Sequence, residues 1–287
     1  MKQSAPCKVN LALDILRRRA DGYHDMRMVM QTISLCDTVT VEECGEGFTL
    51  QAAGVFIPEG KKTLEQRAAE VFFAAIGRAM PPLTVTLEKQ VPAYAGLGGG
   101  SGDVAALLRL LRQHYAPDLP TEELERIGFQ VGSDMPFCIR GGTALAEGRG
   151  EVLTDLSPLP DCWFVLCKPD FGIPTPTLFA LVDGGELQER PDIDGMQAAL
   201  AAGDLHGVAS RLKNVFEEIL PEEYHEVFSI KRKLLSMGAL QAAMSGSGPT
   251  VFGIFDAEET AQRAVEILRQ TYDQTYLARP VSKICVD

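Results

Sequence analysis

The residues best suited to chemistry in this sequence form a glycine-rich stretch, PAYAGLGGGSGDVAALLRLLRQ, at residues 92–113. Five of its glycines fall within seven residues and run directly into an apolar segment. Glycines let a ligand approach backbone amides closely, and a helix N-terminus offers unpaired N–H groups and the positive end of its dipole. The alternative is a flexible turn. Glycines that open an apolar helix favour an anion-binding site, and phosphate is the usual ligand of such a site.

Two common phosphate motifs are absent from this loop. A P-loop requires a lysine after its last glycine, and no lysine lies between Pro92 and Arg109. The dinucleotide fingerprint Gly-x-Gly-x-x-Gly ends on Ser101 or Asp103, depending on where it is started. The loop therefore belongs to some other class of phosphate site.

Composition limits the partners that the chain can have. The 287 residues carry a formal net charge of -12, which argues against nucleic acid or an anionic membrane as the main partner. Six Lys/Arg against three Asp in residues 1–30 still leave one positive region for an anionic small molecule. The seven cysteines are odd in number and contain no Cys-x-x-Cys, which predicts reduced thiols in a cytoplasmic protein without a structural metal. No apolar run reaches the roughly 18 residues needed to cross a membrane.

Hydrophobic periodicity predicts an α+β fold in which both halves mix strands and helices. A proline-rich stretch, LSPLPDCW, suggests a junction between domains spanning residues 1–157 and 158–287. Turn-rich chain is predicted at 172–179. Strands are predicted at 7–16, 28–35, 37–43, 48–55, 83–89, 137–142, 143–153, 163–169, 251–255 and 275–282. Helices are predicted at 63–80, 99–114, 121–132, 193–203, 204–220, 222–238 and 258–270, with Thr121 as the N-cap of the third.

The glycine loop resembles the phosphate loop of the small-molecule kinase superfamily of galactokinase, homoserine kinase, mevalonate kinase and phosphomevalonate kinase. Its pattern there is Pro-x-x-x-Gly-Leu-Gly-x-x-Ser. Five further motifs occur in the family's order, at residues 5–11, 19–24, 132–137 with 148–151, 173–179, and 214–217 with 244–248. The tracts Gly-Leu-Gly-Gly-Gly-Ser-x-Asp and Arg-x-Asp-Gly-Tyr-His are most similar to family members that act on 4-diphosphocytidyl-2-C-methyl-erythritol.

This resemblance implies a two-domain kinase fold with its active site between the halves. The N-terminal half would be like ribosomal protein S5 domain 2, and the C-terminal half would be ferredoxin-like. The implied reaction is phosphorylation of the C2 hydroxyl of 4-diphosphocytidyl-2-C-methyl-D-erythritol in the non-mevalonate isoprenoid pathway, with ATP and Mg²⁺. Two alternatives stay open: another small-molecule kinase of the superfamily, and a non-catalytic nucleotide or metabolite sensor on the same fold.

The family pattern also assigns the nucleotide and catalytic residues by position. Asp134 would accept the proton of the substrate alcohol beside Lys8, although an Asp before Met-Pro is equally typical of a turn or a helix end. Ser101 is the candidate Mg²⁺ contact. The implied ATP-binding residues are Pro92, Gly96, Leu97, Gly98, Gly99, Gly100, Ser101 and Gly102.

The implied substrate site combines aromatic and polar side chains. Tyr23 would stack on the cytosine, His24 would bond the base edge, and Phe179 would form the opposite aromatic wall. An ordinary hairpin pair and a core aromatic are the alternatives for these three residues. Asp134, Asn10, Thr175, Ser245 and Gly246 complete the set, although a tight turn would equally explain the last two.

Three positions depart from the family pattern near the nucleotide. Tyr94 stands where the family has glycine, Gly102 replaces a serine, and Thr63 replaces an asparagine. These departures are the best support for the sensor alternative. The intact pair Lys8 and Asp134 opposes it.

Overall fold

Two β-sheets form the framework of the chain, which the computed structural model describes over residues 1–53, 61–185 and 187–284. The larger sheet contains β1 (Lys2–Arg18), β2 (His24–Glu42), β3 (Phe48–Ala52), β4 (Leu83–Glu88), β5 (Thr143–Gly148), β6 (Val152–Asp155) and β8 (Lys213–Asn214). The smaller sheet contains β7 (Trp163–Cys167), β9 (Gln241–Met244), β10 (Val251–Phe255) and β11 (Thr275–Ala278). The mixture of sheets and helices in both halves confirms the predicted α+β class.

Helices cover these sheets. They are α1 (Leu64–Ala75), α2 (Gly99–Tyr115), α3 (Thr121–Phe129), α4 (Met135–Arg140), α5 (Thr175–Gly184), α6 (Ile193–Ala202), α7 (Leu205–Ala209), α8 (Glu226–Ser236) and α9 (Glu258–Leu268). Short 3₁₀ segments lie at Val215–Ile219 and Glu222–Tyr224. Helix α2 is buried throughout residues 102–111, because β1, β2, α1, α3 and α4 all pack around it. The phosphate-loop helix is therefore held on every side.

The larger sheet is organised around two long antiparallel strands, β1 and β2. Strand β2 pairs with β5 along residues 26–31 and with β4 along residues 38–42, while β8 adds to the other side of β1. Side chains two residues apart on a strand share one face. Lys8 and Asn10, both buried in β1, are placed together in this way.

The smaller sheet is ferredoxin-like. Its strand order is β11-β7-β10-β9, all neighbours are antiparallel, and α8 and α9 lie in chain order between β7 and β9 and between β10 and β11. This βαββαβ arrangement confirms the expectation for the C-terminal half. The structure also adds β9, a strand that the sequence patterns did not predict.

The two halves share backbone pairings. Strand β8 comes from the C-terminal half but pairs in parallel with β1 at Ala12 and Leu13. Near the end of the described chain, Pro280 forms an isolated antiparallel bridge with Ile33. The boundary between residues 157 and 158 falls between β6 and β7, and it stays a prediction because these later segments return to the first sheet.

Three predicted elements were wrong, one in the first half of the chain and two in the second. Of the strand predicted at 137–142, residues 137–140 belong to helix α4, because a short apolar run fits either element and Phe137, Cys138 and Ile139 are all buried from a helix. The turn-rich stretch at 172–179 contains the start of α5, with Pro176 in its first turn. The single helix predicted over 204–220 is instead α7, β8 and a 3₁₀ turn.

Strand and cap boundaries also differ from the predictions. The strands predicted at 28–35 and 37–43 are one continuous β2, because Asp37 is buried and bonded to the backbone of the 90–91 segment and does not make a turn. The strand predicted at 143–153 is the hairpin β5–β6, which turns at Gly148 and Gly150 with positive φ. Pro120, not Thr121, caps α3. Residues 54–55 of the strand predicted at 48–55, and Cys285, lie outside the described residues.

Candidate active site

A cavity of about 660 Å³ opens between the two halves. Strands β1 and β2, the glycine loop and the start of α4 supply one wall, while α5 and the 246–247 turn supply the other. Ten of the predicted site residues line it: Lys8, Asn10, Tyr23, His24, Gly96, Gly98, Asp134, Thr175, Phe179 and Gly246. The fold thus brings together residues that are far apart in the sequence.

Lys8 and Asp134 meet at the floor of this cavity. The buried Lys8 ammonium donates to Asn10 Oδ1 at 2.7 Å and to the Gly96 carbonyl at 3.0 Å, and it lies 3.7 Å from Asp134 Oδ2. Asp134 sits at the N-terminus of α4 with 37% of its side chain exposed. A proton acceptor open to the cavity is therefore placed beside a cation that is held by two other groups.

The glycine loop presents free amides at the start of α2. Gly98 caps the helix in the left-handed region, with a φ of 68°. The first N–H groups of a helix have no intrahelical acceptor, so those of Gly99, Gly100 and Ser101 are available to a ligand. Gly102 differs from them, because its N–H donates to the Gly98 carbonyl at 2.8 Å.

The remaining residues of the predicted ATP loop contribute less directly. The Leu97 side chain is buried in the core, and its carbonyl accepts from the Lys8 backbone N–H at 2.9 Å. Pro92 is half-buried where the loop begins. Any contact from Leu97 to a nucleotide must therefore come through its backbone.

The glycine loop and the 245–248 turn interlock across the two halves. The Ser245 hydroxyl donates to the Gly96 carbonyl at 3.0 Å and accepts from the Asn10 N–H at 3.4 Å. A Cβ at Gly96 would lie 2.1 Å from the Ser245 carbonyl oxygen, so the loops approach too closely for any other residue. Gly246 has a φ of 55°, and a Cβ there would lie 2.9 Å from the Gly96 carbonyl oxygen.

A buried asparagine supports this turn from behind. Asn214 donates through Nδ2 to the carbonyls of Met244 and Gly246, both at 2.8 Å, and its Oδ1 accepts from the Phe216 N–H at 3.0 Å. Asn214 belongs to one of the sequence motifs but was not predicted as a site residue. Its contacts give it a structural role in holding the turn against Gly96.

The aromatic end of the cavity differs from the predicted sandwich. Phe179 stacks directly on the His24 ring, with centroids 4.7 Å apart and planes at 21°, and Phe216 meets Phe179 edge-on at 5.2 Å. The gap between Phe179 and His24 is therefore closed. Tyr23 is half-exposed and carries the Arg149 guanidinium 3.6 Å above its ring.

Two charged residues at this end escaped the sequence predictions. Arg149 lies between the Tyr23 and Phe129 rings, and its buried Nε has no hydrogen-bond partner within the described part of the chain. Asp183 on α5 places Oδ1 2.8 Å from His24 Nε2 and Oδ2 3.3 Å from Arg18 Nη1. The Gly148-x-Gly150 motif pointed towards Arg149, but nothing in the sequence marked Asp183.

Beneath the glycine loop lies a buried group of charges. The Lys89 ammonium contacts the carboxylates of Asp37 and Asp103. Burial raises the pKa of Asp103 to about 7. Asp37 Oδ1 also accepts from the backbone N–H of Gln90 and Val91, at 2.5 and 2.8 Å. The start of the loop is therefore fastened to β2.

The three departures from the family pattern each have a local setting. Thr63 caps α1, since its hydroxyl accepts from the Gln66 N–H at 3.2 Å. A Cβ at Gly102 would meet the Pro6 carbonyl at 2.9 Å, which leaves no room for serine without a shift. Tyr94 has a φ of 51°, is 88% exposed and lies beside Gly172.

Two features are absent from the described ranges, a cluster of metal ligands and a membrane-spanning helix. No group of three or more His, Cys, Asp or Glu side chains there could hold a metal ion. No helix in the same ranges has the length and apolarity to cross a membrane.

Comparisons with known proteins agree with this geometry. The model for the GHMP kinases N terminal domain matches residues 63–142, and the model for GHMP kinases C terminal matches residues 196–274. The 4-diphosphocytidyl-2-C-methyl-D-erythritol kinase of Moorella thermoacetica is 42% identical over 95% of this chain and 96% of its own. The enzyme of that name from Clostridium tetani is 37% identical over 98% of this chain and 100% of its own.

A solved structure supports the same assignment. The crystal structure of a 4-(cytidine 5'-diphospho)-2C-methyl-D-erythritol kinase superposes with a TM-score of 0.82 at 31% identity, covering 98% of this chain and 99% of that one. The match extends over both sheets and over the cavity between them. The chain therefore belongs to the GHMP kinases and, within them, to the 4-diphosphocytidyl-2-C-methyl-D-erythritol kinase family.

Proposed function

We propose that this protein transfers the γ-phosphoryl group of ATP to the C2 hydroxyl of 4-diphosphocytidyl-2-C-methyl-D-erythritol. The observation that carries the proposal is the Lys8–Asp134 pair, 3.7 Å apart on the floor of a cavity that also reaches the glycine loop. Family membership supports the choice of substrate. The product would be an intermediate of the non-mevalonate isoprenoid pathway.

Phosphoryl transfer depends mainly on positioning and on neutralising charge. Asp134 would accept the proton from the C2 hydroxyl, and the Lys8 ammonium would offset negative charge on the transferred group. The free amides of Gly99, Gly100 and Ser101 would hold the ATP phosphates. Bound Mg²⁺ would neutralise phosphate charge, with the Ser101 hydroxyl as its proposed contact from this chain.

The other end of the cavity suits a pyrimidine nucleotide. Tyr23 offers a half-exposed ring for the base, and His24 offers a ring nitrogen for its edge. Arg149 and Arg18 add cations that would attract a diphosphate. Thr175, whose hydroxyl lies 2.8 Å from the Ser247 hydroxyl, and Asn10 would face the polyol.

The remaining parts of the proposal come from composition. The net charge of -12 makes a small molecule, and not nucleic acid, the expected partner. The cysteine pattern favours a reducing compartment, so we place the reaction in the cytoplasm.

The test is release of ADP by the purified protein with Mg-ATP. The acceptors compared are the cytidylylated substrate, homoserine, mevalonate and galactose. We expect turnover with the cytidine compound alone, and its loss in Asp134→Ala. Asp161→Ala is the matched control, because Asp161 is 95% exposed and its one ion pair among the described residues is with the surface residue Arg279 at 3.4 Å.

The other outcomes separate the alternatives. Turnover of homoserine or mevalonate in place of the cytidine compound would make the chain a different kinase of the superfamily. Binding of ATP or of the cytidine compound without any turnover would favour the sensor. Full activity of Asp134→Ala would remove Asp134 from its proposed role.

A further inference from the structure

We propose that Asp183 is a positioning residue that fixes the hydrogen-bonding role of His24 and so makes the site select cytosine over uracil. This inference rests on the proposed function, because it concerns the base of that same substrate. It adds a residue, Asp183, which lines the cavity beside His24 and lies 2.8 Å from Nε2 of its ring.

The contact with Asp183 determines which nitrogen of the His24 imidazole carries the proton. Asp183 Oδ1 lies 2.8 Å from His24 Nε2, while Oδ2 lies 3.3 Å from Arg18 Nη1. A carboxylate can only accept hydrogen bonds, so its contact with Nε2 places the ring proton there. The Arg18 guanidinium holds the second carboxylate oxygen and so keeps Oδ1 turned towards the ring.

Helix α5 sets the orientation of the His24 ring. Phe179 and Asp183 are four residues apart on α5 and therefore lie on one face of that helix. Phe179 stacks on the face of the His24 ring at 4.7 Å, and Asp183 bonds its edge. Phe216 braces Phe179 edge-on at 5.2 Å. One helix thus sets both the plane of the imidazole and its rotation in that plane.

The other ring nitrogen of His24, Nδ1, is the one left for a ligand. No group in residues 1–53, 61–185 or 187–284 makes a hydrogen bond to His24 Nδ1, and the residue lines the cavity. With Nε2 protonated and bonded to Asp183, a rotation of the ring by 180° would break that bond. In the neutral ring Nδ1 therefore keeps one hydrogen-bonding role towards a ligand, that of an acceptor.

A single role at Nδ1 is enough to separate the two pyrimidines. Cytosine has an acceptor at N3 and a donor at its 4-amino group, whereas uracil has a donor at N3 and an acceptor at O4. An acceptor at Nδ1 can bond the 4-amino group of cytosine, whereas it opposes O4 of uracil, which is itself an acceptor. A ring free to flip or to change tautomer could serve both bases. A site built to bond one polar pattern rejects the wrong one strongly, because buried groups are then left unpaired.

The experiment compares kcat/KM for the cytidine substrate and for its uridine analogue in the wild type and in Asp183→Asn. The amide is isosteric, but it can either accept from Nε2 or donate to it, so it does not dictate the proton position. We expect a cytidine preference of about 100-fold or more in the wild type. It should fall at least about 10-fold in the variant, mainly through KM, with kcat changed by less than about 3-fold.

A second readout follows the proton directly and needs no substrate. Two-bond ¹H–¹⁵N spectra of the imidazole groups, with the His24 signals identified by His24→Gln, should show Nε2 as the only protonated position of the His24 ring. In Asp183→Asn both tautomers should appear. Asp161→Asn is the control, and it should leave the His24 signals and the base preference unchanged.

The outcomes distinguish this inference from the proposed function. Wild-type protein that fails to turn over the cytidine substrate would overturn the proposed function, whereas the spectra would still test the tautomer. An unchanged base preference in Asp183→Asn would overturn the inference while leaving the kinase activity in place. A wild-type ring protonated at Nδ1 and bare at Nε2 would overturn it as well, even if every Asp183 variant failed to fold.

Discussion

Replacing Gly96 with alanine tests whether the two halves interlock as described. Gly96 has a φ of 72°, where a residue with a side chain loses roughly 1–2 kcal/mol. The new Cβ would lie 2.1 Å from the Ser245 carbonyl oxygen, so that oxygen must retreat by about 0.9 Å to reach 3.0 Å. This movement pulls on both hydrogen bonds accepted by the Gly96 carbonyl, from Lys8 and Ser245 at 3.0 Å each. At about 1 kcal/mol per hydrogen bond, the total loss of unfolding free energy is about 3–4 kcal/mol.

The same change should also lower activity. The Lys8 ammonium is oriented by the Gly96 carbonyl, and a misplacement of about 1 Å can cost about 100-fold in rate. We therefore expect Gly96→Ala to reduce kcat by about that factor under conditions in which the variant is still folded. Urea denaturation and ADP release are the two assays.

Gly77→Ala is the matched control. Gly77 has nearly the same φ, 66°, but no atom lies within 4 Å of its Cβ position. It should lose only the roughly 1–2 kcal/mol due to the backbone conformation and keep full activity. If Gly96→Ala loses no more unfolding free energy than Gly77→Ala, the close contact between Gly96 and Ser245 does not exist.

Three further perturbations have defined outcomes. Asp134→Asn should lower kcat about 100-fold or more while shifting the melting temperature little. The side chain is 37% exposed, and among the described residues its ion pair is with Lys8 at 3.7 Å. Comparable losses of activity and of thermal stability would indicate a structural role. Tyr94→Gly should raise the melting temperature by about 2 °C, since it relieves positive φ at an 88% exposed residue; a drop would mean that the ring makes stabilising contacts. Burial raises the pKa of Asp103 to about 7, above its ordinary 3.8. Between about pH 4 and 7 the folded chain therefore keeps a proton on Asp103 that the unfolded chain has lost. The contribution of this group to stability falls as the pH rises through that range. Asp103→Asn should therefore gain stability relative to wild type across that range, as measured by urea denaturation, and a constant difference would contradict the shift.

Much of the framework could be predicted from the sequence because local patterns determine it. The glycines opening α2 and the alternating residues of β1 are local signals, and both elements are found where they were expected. Family motifs added the proximity of Lys8 and Asp134, which no periodicity could provide. The strand predicted at 137–142 failed because its apolar run, residues 137–139, is too short to show a period that separates strand from helix.

The parts of the site that escaped prediction depend on contacts between distant elements. Asp183 reaches His24 only because α5 lies over the start of β2, at a separation of 159 residues. The predicted helix over 204–220 failed for a related reason, since Lys213 and Asn214 pair with β1 and leave the helix to do so. Tertiary pairing of this kind overrides local propensity.

The contact between Gly96 and Ser245 also has a consequence for how the protein is made. The two residues are 149 positions apart, so a ribosome that has just released the glycine loop must add all of them before the loop finds its partner. At roughly 5–20 residues per second, that delay is roughly 7–30 s. During this interval the Lys8 side chain lacks the completed turn beside it, and β1 lacks its β8 neighbour. The contact between the two halves at Gly96 therefore forms only after the turn at residues 245–248 has been synthesised.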